Sequence, residues 1–153
     1  MSAEENLKKL GLTLPSIPTP VANYVPWKRD GNTIYLSGQG PRDDSGNLLT
    51  GQVGGPVTVE EGYRRARLVG LQLLAATKLA IGSLDRVEMV VKLLGMVNGV
   101  PGFGDQPKVI NGCSDLFVEV LGDAGKHARS AVGMGSLPSD ISVEIEAILM
   151  IKP

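Results

Sequence analysis

Apolar and polar positions recur along this chain with two different periods, and each stretch of constant period predicts one element. Near the start, Leu7, Leu10 and Leu14 lie at helical steps among Glu4, Glu5, Lys8 and Lys9, which predicts a short amphipathic helical extension over about residues 1–14. The run Pro15-Ser16-Ile17-Pro18-Thr19-Pro20 then predicts a stiff extended linker, because each proline fixes its own φ and biases its predecessor away from helix. Strands are predicted over 24–28 and 33–38, joined by Arg29-Asp30-Gly31-Asn32, whose Asp-Gly pair suits a tight hairpin. A turn-rich loop at 40–47 leads to a third short strand expected around 48–53.

The period then changes. Thr58-Val59-Glu60-Glu61 reads as a capping box, with the Thr58 hydroxyl and the Glu61 carboxylate satisfying exposed amides. Tyr63, Ala66, Val69, Leu73, Ala76 and Ala80 follow at three- and four-residue steps and mark a core-facing stripe, which Gly82 ends. Arg64, Arg65 and Arg67 are expected mainly on the solvated side. Residues 87–97 are rich in β-branched and apolar types and predict a mostly buried strand. An irregular glycine-rich excursion at 98–106 precedes a second helix opened by Pro107 and running to about Leu121, with Val109, Leu116, Val120 and Leu121 near its buried stripe. Gly122 and Gly125 break that helix, and strands are predicted at 129–136 and 141–151 around a Leu137-Pro138-Ser139-Asp140 turn. The order ββ(β)αβαββ predicts a single α+β domain over 1–153, with both main helices on one face of the sheet.

The other face raises a question. In the last strand, Val143, Ile145, Ala147, Leu149 and Ile151 point one way, while Glu144, Glu146, Ile148 and Met150 point the other. Two helices cover only one side, yet both sides carry apolar residues. Such a face implies a subunit partner, so a closed homo-oligomer is expected.

Composition removes several classes of function. The chain has 153 residues and a net charge of −1, with 4% aromatics, so neither a basic surface nor a stacking platform for nucleic acid is available. A single cysteine and a single histidine leave no disulfide framework and no Cys/His zinc site, and reduced cytoplasm is the expected compartment. The first fifteen residues mix acids with bases and do not read as a signal peptide, and no apolar run approaches the roughly 20 residues of a membrane span.

The chemistry-bearing residues fall in an ordered series. Tyr24, then Ser37-Gly38-Gln39, then Arg129-Ser130-Ala131-Val132, Leu137-Pro138 and Val143-Glu144-Ile145-Glu146-Ala147 run from about Pro20 to Ile151. Each block alone is weak; all of them in order are specific, and together they resemble the reactive-intermediate deaminases, the RidA/YjgF-like family. The resemblance implies a chorismate-mutase-like α+β fold assembled as a homotrimer with clefts between subunits. It also implies hydrolysis of enamine and imine intermediates, such as 2-aminoacrylate, to 2-keto acids and ammonia, with no metal and no organic cofactor.

Residue chemistry is compatible with that implication. Arg129, always charged and fork-shaped, can grip the carboxylate of an imino acid in a bidentate pair; a surface ion pair is the ordinary alternative. The resemblance makes Glu144 the group that handles water and protons, whereas spacing alone does not separate it from Glu146. Tyr24 corresponds to a tyrosine closing the cleft, or is a packed aromatic. Gly38 offers a bare backbone beside substrate, or marks a bulge. Asn111 corresponds to a helix asparagine near the cleft, or is a surface amide. Ala131 stands where the best-studied deaminases often carry cysteine, and Ser114 where they often carry an aromatic; the 98–106 loop, with Phe103, is longer than in compact members. These departures keep open a member that only binds small carboxylates or metabolites. Cys113 reads as a small buried hydrophobe, His127 as a loop histidine able to modulate a nearby charge, and the glycines at 99–104 lack the context of a phosphate loop.

Overall fold

The computed structural model describes residues 1–17, 19 and 22–153. The predicted proline linker therefore falls partly on Pro18 and Pro20, which lie outside the described residues.

Helix α1 spans Ala3–Lys9 and opens with a reciprocal cap: the Ser2 amide donates to Glu5 Oε2 at 2.8 Å, and the Glu5 amide donates to Ser2 Oγ at 3.1 Å. It stops at Leu10, because Gly11 takes φ +66°. The expected extension to residue 14 is thus shortened. Leu7 is buried, but Leu10 is exposed and Leu14 rests on the core from the following non-helical segment.

Strands β1 (Trp27–Asp30) and β2 (Thr33–Gln39) form the expected hairpin, but the first strand is shifted from the predicted 24–28: residues 24–26 are not in it, and Arg29 and Asp30, expected in the connection, pair with Ile34 and Thr33, leaving Gly31-Asn32 as the turn. The third strand expected at 48–53 does not form. Its place holds isolated bridges, Arg42 with Leu48, Thr50 with Ile141, and Val53 with Val57 and Gly99. The positive φ of Gly51 (+107°) and Gly54 (+87°) interrupts any extended run there.

Helix α2 (Val59–Ile81) starts as predicted with Thr58 Oγ1 accepting from the Glu61 amide at 3.1 Å. The second half of the expected box is absent: the Glu61 carboxylate turns instead to Arg64 (2.6 Å) and Arg65 (2.9 Å), which hold its pKa down at about 2. Arg65 is likewise not on a solvated face. Its Nη1 donates to the Thr50 carbonyl at 2.7 Å and to Ser142 Oγ at 2.6 Å, polar atoms brought under the helix by the Thr50–Ile141 bridge.

Strand β3 (Val87–Asn98), helix α3 (Gln106–Leu121), strand β4 (Ala128–Met134) and strand β5 (Val143–Ile151) complete the domain. The sheet order is β1-β2-β5-β3-β4, antiparallel except for β3 and β4, which α3 connects as a crossover. Helices α2 and α3 lie against each other across Gly112, whose missing side chain lets the helix settle onto the Tyr63 carbonyl. Tyr63 Oη donates to Asp115 Oδ2 at 2.7 Å, and Arg67 pairs with Glu119 at 2.6 Å, so the rotation of α3 about its axis is fixed.

Register sorts the sheet residues by face. Ile34, Leu36, Val90, Leu93, Val143, Ile145, Ala147 and Leu149 are aligned on the helix-covered face and are buried, together with Phe117 and Leu116 of α3. The opposite face presents Tyr35, Ile148, Lys92, Leu94, Met96, Val132, Glu144 and Glu146. There Tyr35 is 47% exposed and Met89 42%, so large apolar surface remains uncovered in the single chain.

Candidate functional site

Strand β4 is an edge strand, and its parallel register with β3 puts Arg129 beside Leu93 and Ala131 beside Gly95, on the helix-covered side. Gly95 itself must lack a side chain, since a methyl there would lie 2.6 Å from Ile110 of α3. That close approach sets α3 next to the edge where Arg129 emerges. Asn111 and Ser114, three residues apart and so on one side of α3, both meet it. Arg129 Nη1 donates to Asn111 Oδ1 at 2.7 Å and to Ser114 Oγ at 3.2 Å.

These bonds use both hydrogens of Nη1 and leave the Nε–Nη2 edge without an acceptor among the described residues. No carboxylate of the described residues pairs with Arg129 either. The guanidinium is held by two neutral groups and presents its side-on fork. No ion pair of the described residues engages that fork, and its geometry matches a bidentate carboxylate.

Sequence reasoning singled out Ser114 and His127 but missed the contact between them. Ser114 Oγ lies 2.9 Å from His127 Nε2, and His127 Nδ1 lies 2.6 Å from the Gly125 carbonyl. A carbonyl only accepts, so Nδ1 carries the hydrogen, and in the neutral ring Nε2 accepts from the Ser114 hydroxyl. Burial pushes the His127 pKa below its ordinary value, the Arg129 charge acts in the same direction, and the Gly125 carbonyl opposes them. Phe117 meets the ring edge-on, with centroids 6.0 Å apart at 78°. Cys113, fully buried nearby, has its thiol pushed far up by desolvation and stays protonated, as expected of a small hydrophobe.

Beyond Ala131, the excursion after β3 folds over the end of β4. The Gln106 side-chain amide donates to the Phe103 carbonyl at 2.8 Å and covers Gly133. A hollow of about 260 Å³ lies there, lined by Gln52, Phe103, Gln106, Gly133 and Met134 among others.

The remaining candidates gather elsewhere. A methyl group on Gly38 would stand 3.2 Å from Glu144 Cδ, so this bare backbone lies directly against the carboxylate. The β2–β5 register also slips between Leu36 and Gln39, so the bulge reading of Gly38 holds, and the group its bare backbone meets in the single chain is Glu144. Glu144 is half-buried; desolvation raises its pKa, and the charge of Glu146 raises it further. Tyr24 is 53% exposed just ahead of β1, where Ser37 Oγ donates to the Val25 carbonyl at 2.5 Å and ties that segment to the strand bearing Gly38.

Two half-sites result. Arg129, Asn111 and Ala131, with Ser114 and His127, form one on the helix-covered side at the β4 edge. Glu144 and Gly38 form the other, and the rows Ile145–Gly95–Ala131 and Glu144–Met96–Val132 show that the two face opposite sides of the sheet. One chain does not bring them together.

A family model described as "YjgF/chorismate mutase-like, putative endoribonuclease" matches residues 4–144. The chain belongs to this YjgF/chorismate-mutase-like family, the RidA/YjgF group to which its ordered motifs pointed. It is 44% identical over 145 residues to the Trypanosoma cruzi protein TCP17, covering 94% of this chain and 91% of that one. The solved structure of Atu1372 from Agrobacterium tumefaciens, a protein of unknown function, is 47% identical and superposes with a TM-score of 0.89, covering 98% of this chain and 94% of the other. A more distant relative, 25% identical over 142 residues with 92% and 95% of the two chains covered, is the 2-iminobutanoate/2-iminopropanoate deaminase of Dermatophagoides farinae. No helix among the described residues is long and apolar enough to cross a membrane.

Proposed function

We propose that this protein hydrolyses small enamine and imine acids to 2-keto acids and ammonia, in clefts where the two half-sites of neighbouring copies in a homotrimer meet. The observation that supports this most is the unpartnered Nε–Nη2 edge of Arg129, whose other nitrogen is immobilised by Asn111 and Ser114. A carboxylate next to a C=N bond fits that fork in a bidentate pair. Glu144 of the partner subunit, with its pKa raised, exchanges a proton more readily near neutrality than an ordinary carboxylate does. It takes a proton from water as the water oxygen bonds to the imine carbon and the π electrons move to nitrogen, and it then delivers that proton to the nitrogen, giving the carbinolamine. Transfer of the carbinolamine hydroxyl proton to nitrogen, through the same carboxylate, breaks the C–N bond as the C=O bond forms, releasing ammonia and leaving the keto acid. An enamine enters this sequence after protonation at its terminal carbon. Gly38 leaves room beside Glu144, Ala131 floors the carboxylate end, and Tyr24 closes the cleft from the Glu144 side. The named activity of the mite relative is of this kind.

The test is pyruvate release from freshly generated 2-aminoacrylate. Arg129→Ala is expected to lower it at least about a hundredfold with the assembly intact on light scattering. Equal turnover by variant and wild type would sink the assignment. Ala131 and Ser114 favour a second reading, a carboxylate-binding member without turnover; keto-acid binding without any acceleration of deamination would establish it.

A further inference from the structure

The excursion between β3 and α3 borders the Arg129 half-site, and the proposed reaction gives it no part. It is rigidly built. The Val53 amide donates to the Asn98 carbonyl at 2.8 Å and the Val100 amide to the Val53 carbonyl at 3.0 Å, so the excursion leaves β3 strapped to the segment around Val53. The Phe103 amide then closes on the Val100 carbonyl at 3.0 Å around Pro101 and Gly102, with Gly102 at φ +80°, the form of a type II turn. Phe103 packs so closely on Gly99 that a methyl group there would stand 3.0 Å from its Cβ, and Gln106 is tied to the Phe103 carbonyl. Phe103 and Gln106 therefore wall the 260 Å³ hollow at the end of β4 with no ligand to order them.

Register relates this hollow to the fork. Helix α3 runs antiparallel to β4, so its first residue, Gln106, lies over Gly133 while Asn111 holds Arg129. Five helical residues separate Gln106 from Asn111, about 7.5 Å along the axis. After Arg129, the residues of β4 on the same side are Ala131 and Gly133, so nothing larger than a methyl group rises from the strand between fork and hollow. The Nε–Nη2 edge points away from Asn111 and Ser114, and a ligand on it lies along the strand rather than beneath the helix. The hollow follows the same strand, with Gly133, Met134 and Gly135 lining it in succession, and β4 has no strand neighbour on its outer edge. Val100 and Phe103 give the hollow apolar walls, Gln52 and Gln106 give it neutral amides, and no charged residue lines it.

We propose that Phe103, Gln106 and Gly133 form the side-chain subsite of this cleft, and that the chain takes 2-imino acids whose uncharged side chain is several atoms longer than that of 2-aminoacrylate. This rests on Arg129 being the carboxylate anchor of a deaminating cleft. A ligand with a single methyl group beyond its C=N carbon stops over Ala131, whereas a butyl chain spans the distance to Phe103. Each methylene buried there is worth roughly fourfold in affinity. A terminal carboxylate would lose its hydration with no cation in the hollow to replace it.

Titration calorimetry with the product keto acids tests this apart from turnover. The wild type is expected to bind 2-oxohexanoate at least about tenfold more tightly than pyruvate, and 2-oxoglutarate, of similar length with a charged end, no more tightly than pyruvate. Gly133→Val fills the hollow: position 133 has no positive φ, and a side chain there meets the end of the Gln106 amide rather than backbone. It is expected to bring 2-oxohexanoate and pyruvate within about twofold of each other. Phe103→Ala, which removes the apolar wall, reduces the same ratio, and in both variants the kcat/KM ratio for freshly generated 2-iminohexanoate over 2-aminoacrylate falls with it. Equal binding of 2-oxohexanoate and pyruvate by the wild type, tighter binding of 2-oxoglutarate than of 2-oxohexanoate, or a preference kept in both Gly133→Val and Phe103→Ala overturns the subsite while leaving the anchor standing. Binding of both keto acids undiminished in Arg129→Ala, or of neither by the wild type, overturns the anchor and the subsite with it.

Discussion

The two faces of the sheet are made from alternate residues of the same strands, yet their side chains meet different fates. On the covered face, Ile34, Leu93, Ile145 and Leu149 are sealed from solvent, and α3 approaches so closely that position 95 must be glycine. On the other, Tyr35, Met89 and Val132 stay over a third exposed around the charged Glu144 and Glu146. Along β5, successive residues therefore serve different ends: one set is sealed under the helices, and the other, Glu144, Glu146, Ile148 and Met150, is left uncovered by them. Adding a charge to each face separates the two. Ile145→Asp, which buries an unpaired carboxylate, is expected to cost more than about 4 kcal/mol and to abolish cooperative unfolding. Ile148→Asp, its neighbour but two along the strand, should leave the circular dichroism spectrum native and dissociate the subunits on light scattering. If both unfold the protein, or neither changes the assembly, the division between the faces is wrong.

The same opposition separates the half-sites, and it gives a prediction in numbers. If each cleft takes Arg129 from one subunit and Glu144 from the next, Arg129→Ala and Glu144→Gln are each inactive as pure trimers. Co-refolded in equal amounts, they form mixed trimers in which about one cleft in four has both native residues. Deaminase activity should then recover to about a quarter of the wild-type value. No recovery would mean that the two groups do not serve one cleft from different chains.

How much of this was legible depends on the range of the contacts. The alternation in 143–151 is a local signal, and it sorted the two faces correctly because only one of them is covered by helices. Asn111 and Ser114 share a helix side by spacing alone, so their common orientation was also readable. What failed was non-local. Arg65 is charged and looks solvated in sequence, but its partners, Thr50 and Ser142, arrive from fifteen and seventy-seven residues away. The 48–53 segment has strand-like residues, and two glycines with positive φ override them. His127 meets Ser114 only because the parallel crossover returns the chain from α3 to the edge of the sheet, a consequence of topology that no residue pattern carries.

Two carboxylates give the smallest effects and the finest version of the comparison. Glu61, on the helix side, is held at about 2 by Arg64 and Arg65, below its ordinary value. Its contribution to stability is present above the ordinary carboxyl range and is lost as the pH falls through the depressed value. Glu144, on the open side, has the opposite sign, because burial and Glu146 raise it. The folded state favours its protonated form, so that contribution is present below the ordinary range and lost as the pH rises through the raised value. At pH 7 the ionised Glu144 is a liability to the fold. Glu144→Gln should therefore stabilise the protein at pH 7, by no more than about 0.5 kcal/mol once solvent screening is counted, and the gain should vanish near pH 4. Glu61→Gln should destabilise at pH 7 and converge on the wild type in acid. Thermal unfolding at one fixed protein concentration reads both, since assembly contributes to the midpoint. Shifts of the same sign in the two variants would show that the carboxylate beside Gly38 is an ordinary solvated charge, and would remove the electrostatic ground for giving it the proton-handling role.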